Sequence, residues 1–257
     1  MRIDRVLANN PGPFTGPGTN TWVLDDGGGS VVVIDPGPVD SRHATAIMEV
    51  VGSRSLVAVL VTHTHSDHAP LANPLARDMG VPAVGYAAGP SFEPEIRLLE
   101  GARFDVGNLD LHVIHTPGHS EDHLCFRAGE VLFTGDHIMG GSSVMVEDMG
   151  PYLLSLEKLR GTGLGRLYPG HGEQMDDPDA VIDWYLAHRR QRHEQIFEAI
   201  GDGAETVPEV VEIVYADVDQ SLHPLAARSV QAHVTLLKDQ DRIALRGDRM
   251  VVPTRPK

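Results

Sequence analysis

The stretch Leu56 to His68, Leu-Val-Ala-Val-Leu-Val-Thr-His-Thr-His-Ser-Asp-His, constrains this chain more than any other. Leu56–Val61 is a short apolar, β-branched run and predicts a buried strand. It leads straight into His63, His65, Asp67 and His68, four metal-type ligands within six residues. Packing has no use for such a cluster. Imidazole nitrogen and carboxylate oxygen suit zinc and neighbouring divalent metals. A strand that ends in these groups holds them on a rigid base, as a catalytic site requires.

The pattern recurs three times. His119 follows the strand-like Leu111–His115, Asp136 follows Val131–Phe133, and His171 follows Arg166–Tyr168. Each adjoins a glycine, which lets backbone come close to an ion. His63, His65, Asp67, His68, His119, Asp136 and His171 are seven candidate ligands. One zinc takes four or five positions including water, so the set suits two ions, with Asp136 as the economical bridge. Two ions roughly 3.5–4 Å apart clamp the attacking and departing oxygens and lower the pKa of bound water toward about 7. The expected nucleophile is a hydroxide between them, and the expected catalytic carboxylates are Asp67 and Asp136. His123 either gives a proton to the leaving group or makes a structural hydrogen bond. Asp35, after the apolar run Ser30–Ile34, either caps a turn or orients a ligand histidine from behind. No Gly-x-Ser-x-Gly elbow, Walker motif or strand-linked Gly-x-Gly-x-x-Gly occurs.

The order of predicted elements is β, β, α, β, α, β over residues 21–86, with the second helix over Ala69–Met79, which indicates an α/β class with helices outside a sheet. Residues 1–20 read as a Pro- and Gly-rich loop. A strand-rich half follows, carrying the other ligand loops. From Asp179 to Ile200 a long charged helix is predicted, then helices over Val207–Tyr215 and His223–Lys238. A small hairpin about Arg246-Gly247-Asp248-Arg249 completes the outline of a winged helix. The expected division is 1–178, a catalytic domain, and 179–257, a linker helix with the winged-helix-like module. From Pro178 onward there are 10 Lys and Arg against 13 Asp and Glu, a net of −3, where a nucleic-acid reader carries a basic footprint. The whole chain is at −15, which repels polyanions. Cys125 is the only cysteine, and neither a secretory signal nor a membrane span is read. A cytoplasmic location is expected.

Thr62-His63-Thr64-His65-Ser66-Asp67-His68, with Asp35, His119, Asp136 and His171 in that order, resembles the metal motifs of the metallo-β-lactamase superfamily. More narrowly, the chain is similar to the β-lactamase-like protein 2 family. That likeness rests on Asn10-Pro11-Gly12-Pro13 leading to Gly18-Thr19-Asn20-Thr21, on Thr116-Pro117-Gly118-His119-Ser120-Glu121-Asp122-His123, and on Tyr168-Pro169-Gly170-His171-Gly172 with a later helix containing His188-Arg189. The resemblance implies a four-layer αββα sandwich with metals at one edge, followed by a small winged-helix-like domain. It implies that His63, His65 and His119 hold one zinc, that Asp67, His68 and His171 hold the other, that Asp136 bridges and that Asp35 stands behind. Iron or manganese are alternatives to zinc. One departure is His137, where the animal family tends to have cysteine; a wall position is expected for it.

The expected activity is dinuclear zinc hydrolysis of an ester, a thioester or lactone, or a phosphodiester. Single-stranded RNA is the family's substrate in animals, and similar fungal proteins resemble polyketide-releasing thioesterases. Two other classes compete: a nucleic-acid-binding regulator with a relic metal site, and a di-iron oxidoreductase. A homo-oligomer is left open.

Overall fold

Strand direction decides where the ligands meet. The computed structural model describes residues 1–141, 143–247 and 249–253, and Asp248 of the predicted hairpin turn lies outside them. The chain forms two compact units: residues 1–117, 121–144 and 161–179, and residues 118–120, 145–160 and 180–257.

The first unit opens with β1 (Arg2–Leu7), β2 (Asn20–Asp25) and β3 (Ser30–Ile34), then α1 (Ser41–Val51), β4 (Ser55–Leu60), α2 (Ala72–Met79), β5 (Ala83–Gly85) and β6 (Ile96–Arg97). These six strands form one sheet in sequential order. Val23, Val31, Val33 and Val59 pack on one face with Ile47, Val51, Leu75 and Ala76 of the two helices. Their neighbours Trp22, Leu24, Val32, Ile34, Ala58 and Leu60 pack on the other face. Side chains alternate along a strand, so a run apolar at every position is buried on both sides.

The second sheet contains β7 (Arg103–Val106), β8 (Leu109–His115), β9 (Leu124–Ala128) and β10 (Val131–Gly135). After α3 (Met149–Leu159), which belongs to the other unit, β11 (Arg166–Pro169) and β12 (Met175–Asp176) complete it. Leu111, Val113, Leu124, Phe126, Phe133 and Tyr168 meet the inner face of the first sheet, so the main core lies between the sheets.

β3 and β4 run parallel, as do β10 and β11, while β8–β9 and β9–β10 are antiparallel. β8 therefore points the same way as β10 and β11. Within each sheet, the loops that carry ligands all leave from carboxyl ends at a common edge.

The second unit includes α3, α4 (Pro178–Gly201), α5 (Val207–Val214), α6 (His223–Asp239), β13 (Ala244–Arg246) and β14 (Arg249–Val251). Thr206 and Glu209 form a reciprocal capping box at the start of α5. Ile196, Val210, Val230, Val234, Leu237 and Met250 form the core. His43 and His193 are packing residues, 5% and 7% exposed.

Two sequence expectations are corrected. Residues 2–7 are a strand rather than loop, paired with β2 along its whole length from Arg2–Asp25 to Leu7–Asn20. Only Val6 of that edge strand is buried, so no alternation marks it. The helix expected from Ala69 starts at Ala72, because residues up to Leu71 continue the ligand loop: Leu71 N–H bonds Gly37 O, and Ala69 N–H bonds His65 O.

Candidate metal centre

Asp35 is the centre's support. It follows β3 with φ +51°, is 1% exposed, and its backbone N–H bonds Leu60 O. Its Oδ1 accepts from Thr62 N–H at 2.7 Å, and its Oδ2 accepts from the Thr62 hydroxyl at 2.7 Å and from His68 Nδ1 at 2.9 Å. The Thr62 hydroxyl, having given its proton to Asp35, accepts from His63 Nδ1 at 3.0 Å. One carboxylate thus fixes two imidazoles with their Nε2 lone pairs turned outward. Asp35 meets His68 on the ring nitrogen opposite the one that faces the other ligands.

Two other histidines are held by backbone carbonyls. His171 Nδ1 donates to Gly18 O (3.2 Å) and His119 Nδ1 donates to Met145 O (2.7 Å). A carbonyl accepts only, so the proton sits on Nδ1 and Nε2 is left to ligate. Asn20 holds the His171 loop, its amide donating to Pro169 O (3.0 Å) and Gly172 O (2.8 Å). This explains the Gly18-Thr19-Asn20 motif at the level of hydrogen bonds.

All seven candidates gather at two foci, and each is buried or half-buried. His63, His65 and His119 offer one ligand atom each, all within 4.8 Å of one another; Asp67, His68, Asp136 and His171 do the same. His63 Nε2 lies 2.9 Å from His65 Nδ1, and His68 Nε2 lies 3.2 Å from His171 Nε2. Asp67 Oδ2 is 3.1 Å from His171 Nε2, and the two oxygens of Asp136 are each 3.4 Å from a ring nitrogen, Oδ1 from His68 and Oδ2 from His171. Converging lone pairs of this kind repel unless a proton or a metal cation lies among them, so the donor set fits divalent metal.

The backbone is shaped to match. A register shift between Phe133 and Gly135 bends β10 just before Asp136. A Cβ on Gly170 would lie 2.5 Å from Asp136 Oδ1 and 2.6 Å from the His68 ring, so only glycine leaves room for the cluster.

His123 is fully buried. Its Nε2 accepts from Asp136 N–H at 3.1 Å, and its Nδ1 pairs with the Thr116 hydroxyl at 2.9 Å. His137 is also fully buried, its ring 6.0 Å from that of His123. Asp122, unmarked by sequence reasoning, accepts from Thr64 N–H at 2.9 Å and fastens the 119–123 loop to the 62–68 loop. Its place in the Ser-Glu-Asp-His run was the available signal.

Charge follows from the same contacts. Burial disfavours the His171 cation, but hydrogen bonds to Asp136 and Asp67 outweigh it and lift the pKa to about 9. Burial likewise opposes charge on His68, and the fields of Asp136 and Asp35 raise it well above the usual histidine range. Burial would raise Asp136, but His68 and His171 hold it well below the usual carboxylate range. The metal-free centre is therefore protonated on histidine at neutral pH, and metal must displace those protons. His171 in this state stabilises the metal-free fold below pH ~6.5, and that contribution disappears as pH rises through ~9. Metal affinity is expected to move the opposite way, rising with pH until about 9. Titrating metal into weakly buffered protein at pH 7 should release about one to two protons as the group of Asp67, His68, Asp136 and His171 fills. Release of none would mean that His68 and His171 are already neutral.

A profile of the metallo-beta-lactamase superfamily matches residues 14–89 and 70–171, and one of the beta-lactamase associated winged helix domain matches 206–249. A beta-lactamase-like protein 2 homolog of Drosophila melanogaster is 31% identical, over 94% of this chain and 89% of that protein. An atrochrysone carboxyl ACP thioesterase of Aspergillus chevalieri is 35% identical, over 97% of this chain and 82% of that protein. The crystal structure of a metallo-beta-lactamase family protein from Thermus thermophilus superposes with a TM-score of 0.81 at 20% identity, covering 98% of both chains.

Proposed function

This chain belongs to the metallo-β-lactamase superfamily, as a metal-dependent hydrolase with a C-terminal winged-helix domain, and from that premise we propose that it cleaves a small-molecule thioester or ester. His63, His65 and His119 would hold one ion and Asp67, His68 and His171 the other, with Asp136 between them. Bound ions of this class supply Lewis acidity and a water acidified toward neutral pH. Zinc suits the all-imidazole first group, and iron or manganese would be accepted by the carboxylate-containing second.

The protein's own residues set the geometry. Asp35 and Thr62 hold His63 and His68 in one tautomer, Gly18 O does so for His171, and His123 pins the Asp136 backbone. We assign His123 a positioning role for that reason. The reaction then depends on the substrate carbonyl being held against a preorganised, partly desolvated site.

One observation favours a small substrate over RNA. Four arginines of the second unit are engaged internally. Arg242 binds Glu194 through both guanidinium nitrogens and lies over Phe197, Arg249 pairs with Glu205, Arg190 with Glu157, and Arg192 lies over Tyr215. A phosphate-binding face needs such groups turned to the ligand, and the net charge of −15 adds to the argument. Single-stranded RNA cleavage is the second reading, favoured by the winged-helix match and the β-lactamase-like protein 2 relatives. Among the described residues no helix is long and apolar enough to cross a membrane. The single, buried cysteine agrees with a cytoplasmic site of action.

The test sets metal-loaded protein against an acyl-pantetheine thioester and a short labelled single-stranded RNA, with Asp67→Ala prepared identically. Thioester turnover lost in the variant is the expected result. Metal-dependent cleavage of RNA with no thioester turnover would replace this reading by the second.

A further inference from the structure

Tyr86 and His115 lie face to face, ring centroids 4.4 Å apart and planes 10° from parallel, and neither belongs to the two metal foci. Both are half-buried, so part of this flat surface meets solvent. Their position follows from register. Leu60 pairs with Val84, and Val61 N–H bonds Val84 O. A Cβ on Gly85 would lie 3.6 Å from Val61 O, and one on Gly89 would lie 2.4 Å from Thr64 Cβ. Residues 85–89 therefore run beside 61–64, and Tyr86 stands next to the root of His63. His115 is the last residue of β8, opposite Leu124, whose N–H bonds Thr62 O at 2.7 Å. The two rings thus reach the edge from which the ligand loops leave.

The pair is also rigid. His115 N–H donates to Glu100 Oε2 at 2.7 Å, and its Nε2–H donates to Glu121 O at 2.7 Å, two residues past His119. Tyr86 packs on the core between the sheets. A flat, preoriented π surface beside a reaction centre stacks well on another planar ring and poorly on a puckered one.

We infer that Tyr86 and His115 form an acyl-side subsite for a planar, unsaturated ring, so that the preferred substrate is an aryl thioester. The inference rests on the thioester reading above. A saturated ring of equal size fills the same volume without the stacking, and that difference is what the subsite reads.

The experiment compares benzoyl and cyclohexanecarbonyl thioesters of N-acetylcysteamine on the full-length, metal-loaded protein. Wild type should favour benzoyl in kcat/KM. Tyr86→Leu keeps an apolar side chain and should lower the benzoyl-to-cyclohexanecarbonyl ratio about 3- to 10-fold, mostly through KM. Tyr86→Phe should keep the ratio, and His115→Leu should lower it. A wild type without preference, or a ratio unmoved in Tyr86→Leu and His115→Leu, would overturn the subsite while leaving thioester hydrolysis in place. Equal losses on both substrates would make the pair a structural support and overturn it too. Turnover of neither thioester would remove the parent reading and the subsite with it, and stacking of a nucleobase would then be read from RNA cleavage by the same variants.

Discussion

Asp136→Asn is expected to lower kcat/KM about 1,000-fold or more while leaving a folded protein. The carboxylate stands between two ring nitrogens, each 3.4 Å from one of its oxygens. An amide has nearly the same shape, so the Gly170 cradle and the bend at the end of β10 still accept it. Its backbone N–H still bonds His123. What changes is charge and donor sense: a neutral group turns an NH2 toward atoms that need an anion. The metal-to-protein ratio should fall with activity, and far-UV circular dichroism should match wild type. Turnover retained at the wild-type level would remove this carboxylate from the reaction.

How far the site was legible follows from where each signal lies in the chain. His63, His65, Asp67 and His68 are adjacent in sequence and abnormal for a core, so they needed no fold to be noticed. His119, Asp136 and His171 were legible because each repeats the same local grammar of strand, glycine and ligand. The strand ladder carrying them was legible wherever both faces are buried, as in β3 and β4. Edge strands were not: β1 buries one side chain, and the two-residue β6 is defined only by its pairing with β5. The supports were the least visible part. Thr62 acts through a hydroxyl shared between Asp35 and His63, and Gly18 acts through a carbonyl, which no side-chain pattern encodes. The Tyr86–His115 stack joins a residue that follows β5 of one sheet to the last residue of β8 in the other, and it exists only once the sandwich closes.

Asp35 gives the second large effect, and two variants separate its two duties. Its φ of +51° is tolerated by asparagine but strains most other side chains. In Asp35→Asn the amide oxygen still accepts from Thr62 N–H, so the loop after β4 stays tied down. The amide NH2 now faces the Thr62 hydroxyl and His68 Nδ1, both of which donate in the wild type. His68 responds by taking its proton on Nε2, the atom that should ligate. Metal affinity should fall about 10- to 100-fold, with activity recovered by excess metal and little change in the urea midpoint. Asp35→Ala loses both duties. It leaves the buried Thr62 N–H without its acceptor and adds backbone strain, so it should also cost about 1–3 kcal/mol or more of stability. Metal affinity follows the proton on His68, whereas stability follows the bond to Thr62. A metal titration and a urea curve on the same two proteins therefore read the two duties apart. If Asp35→Asn bound metal like wild type, His68 would be held by its packing alone, and the carboxylate would serve only to close the β3–β4 edge.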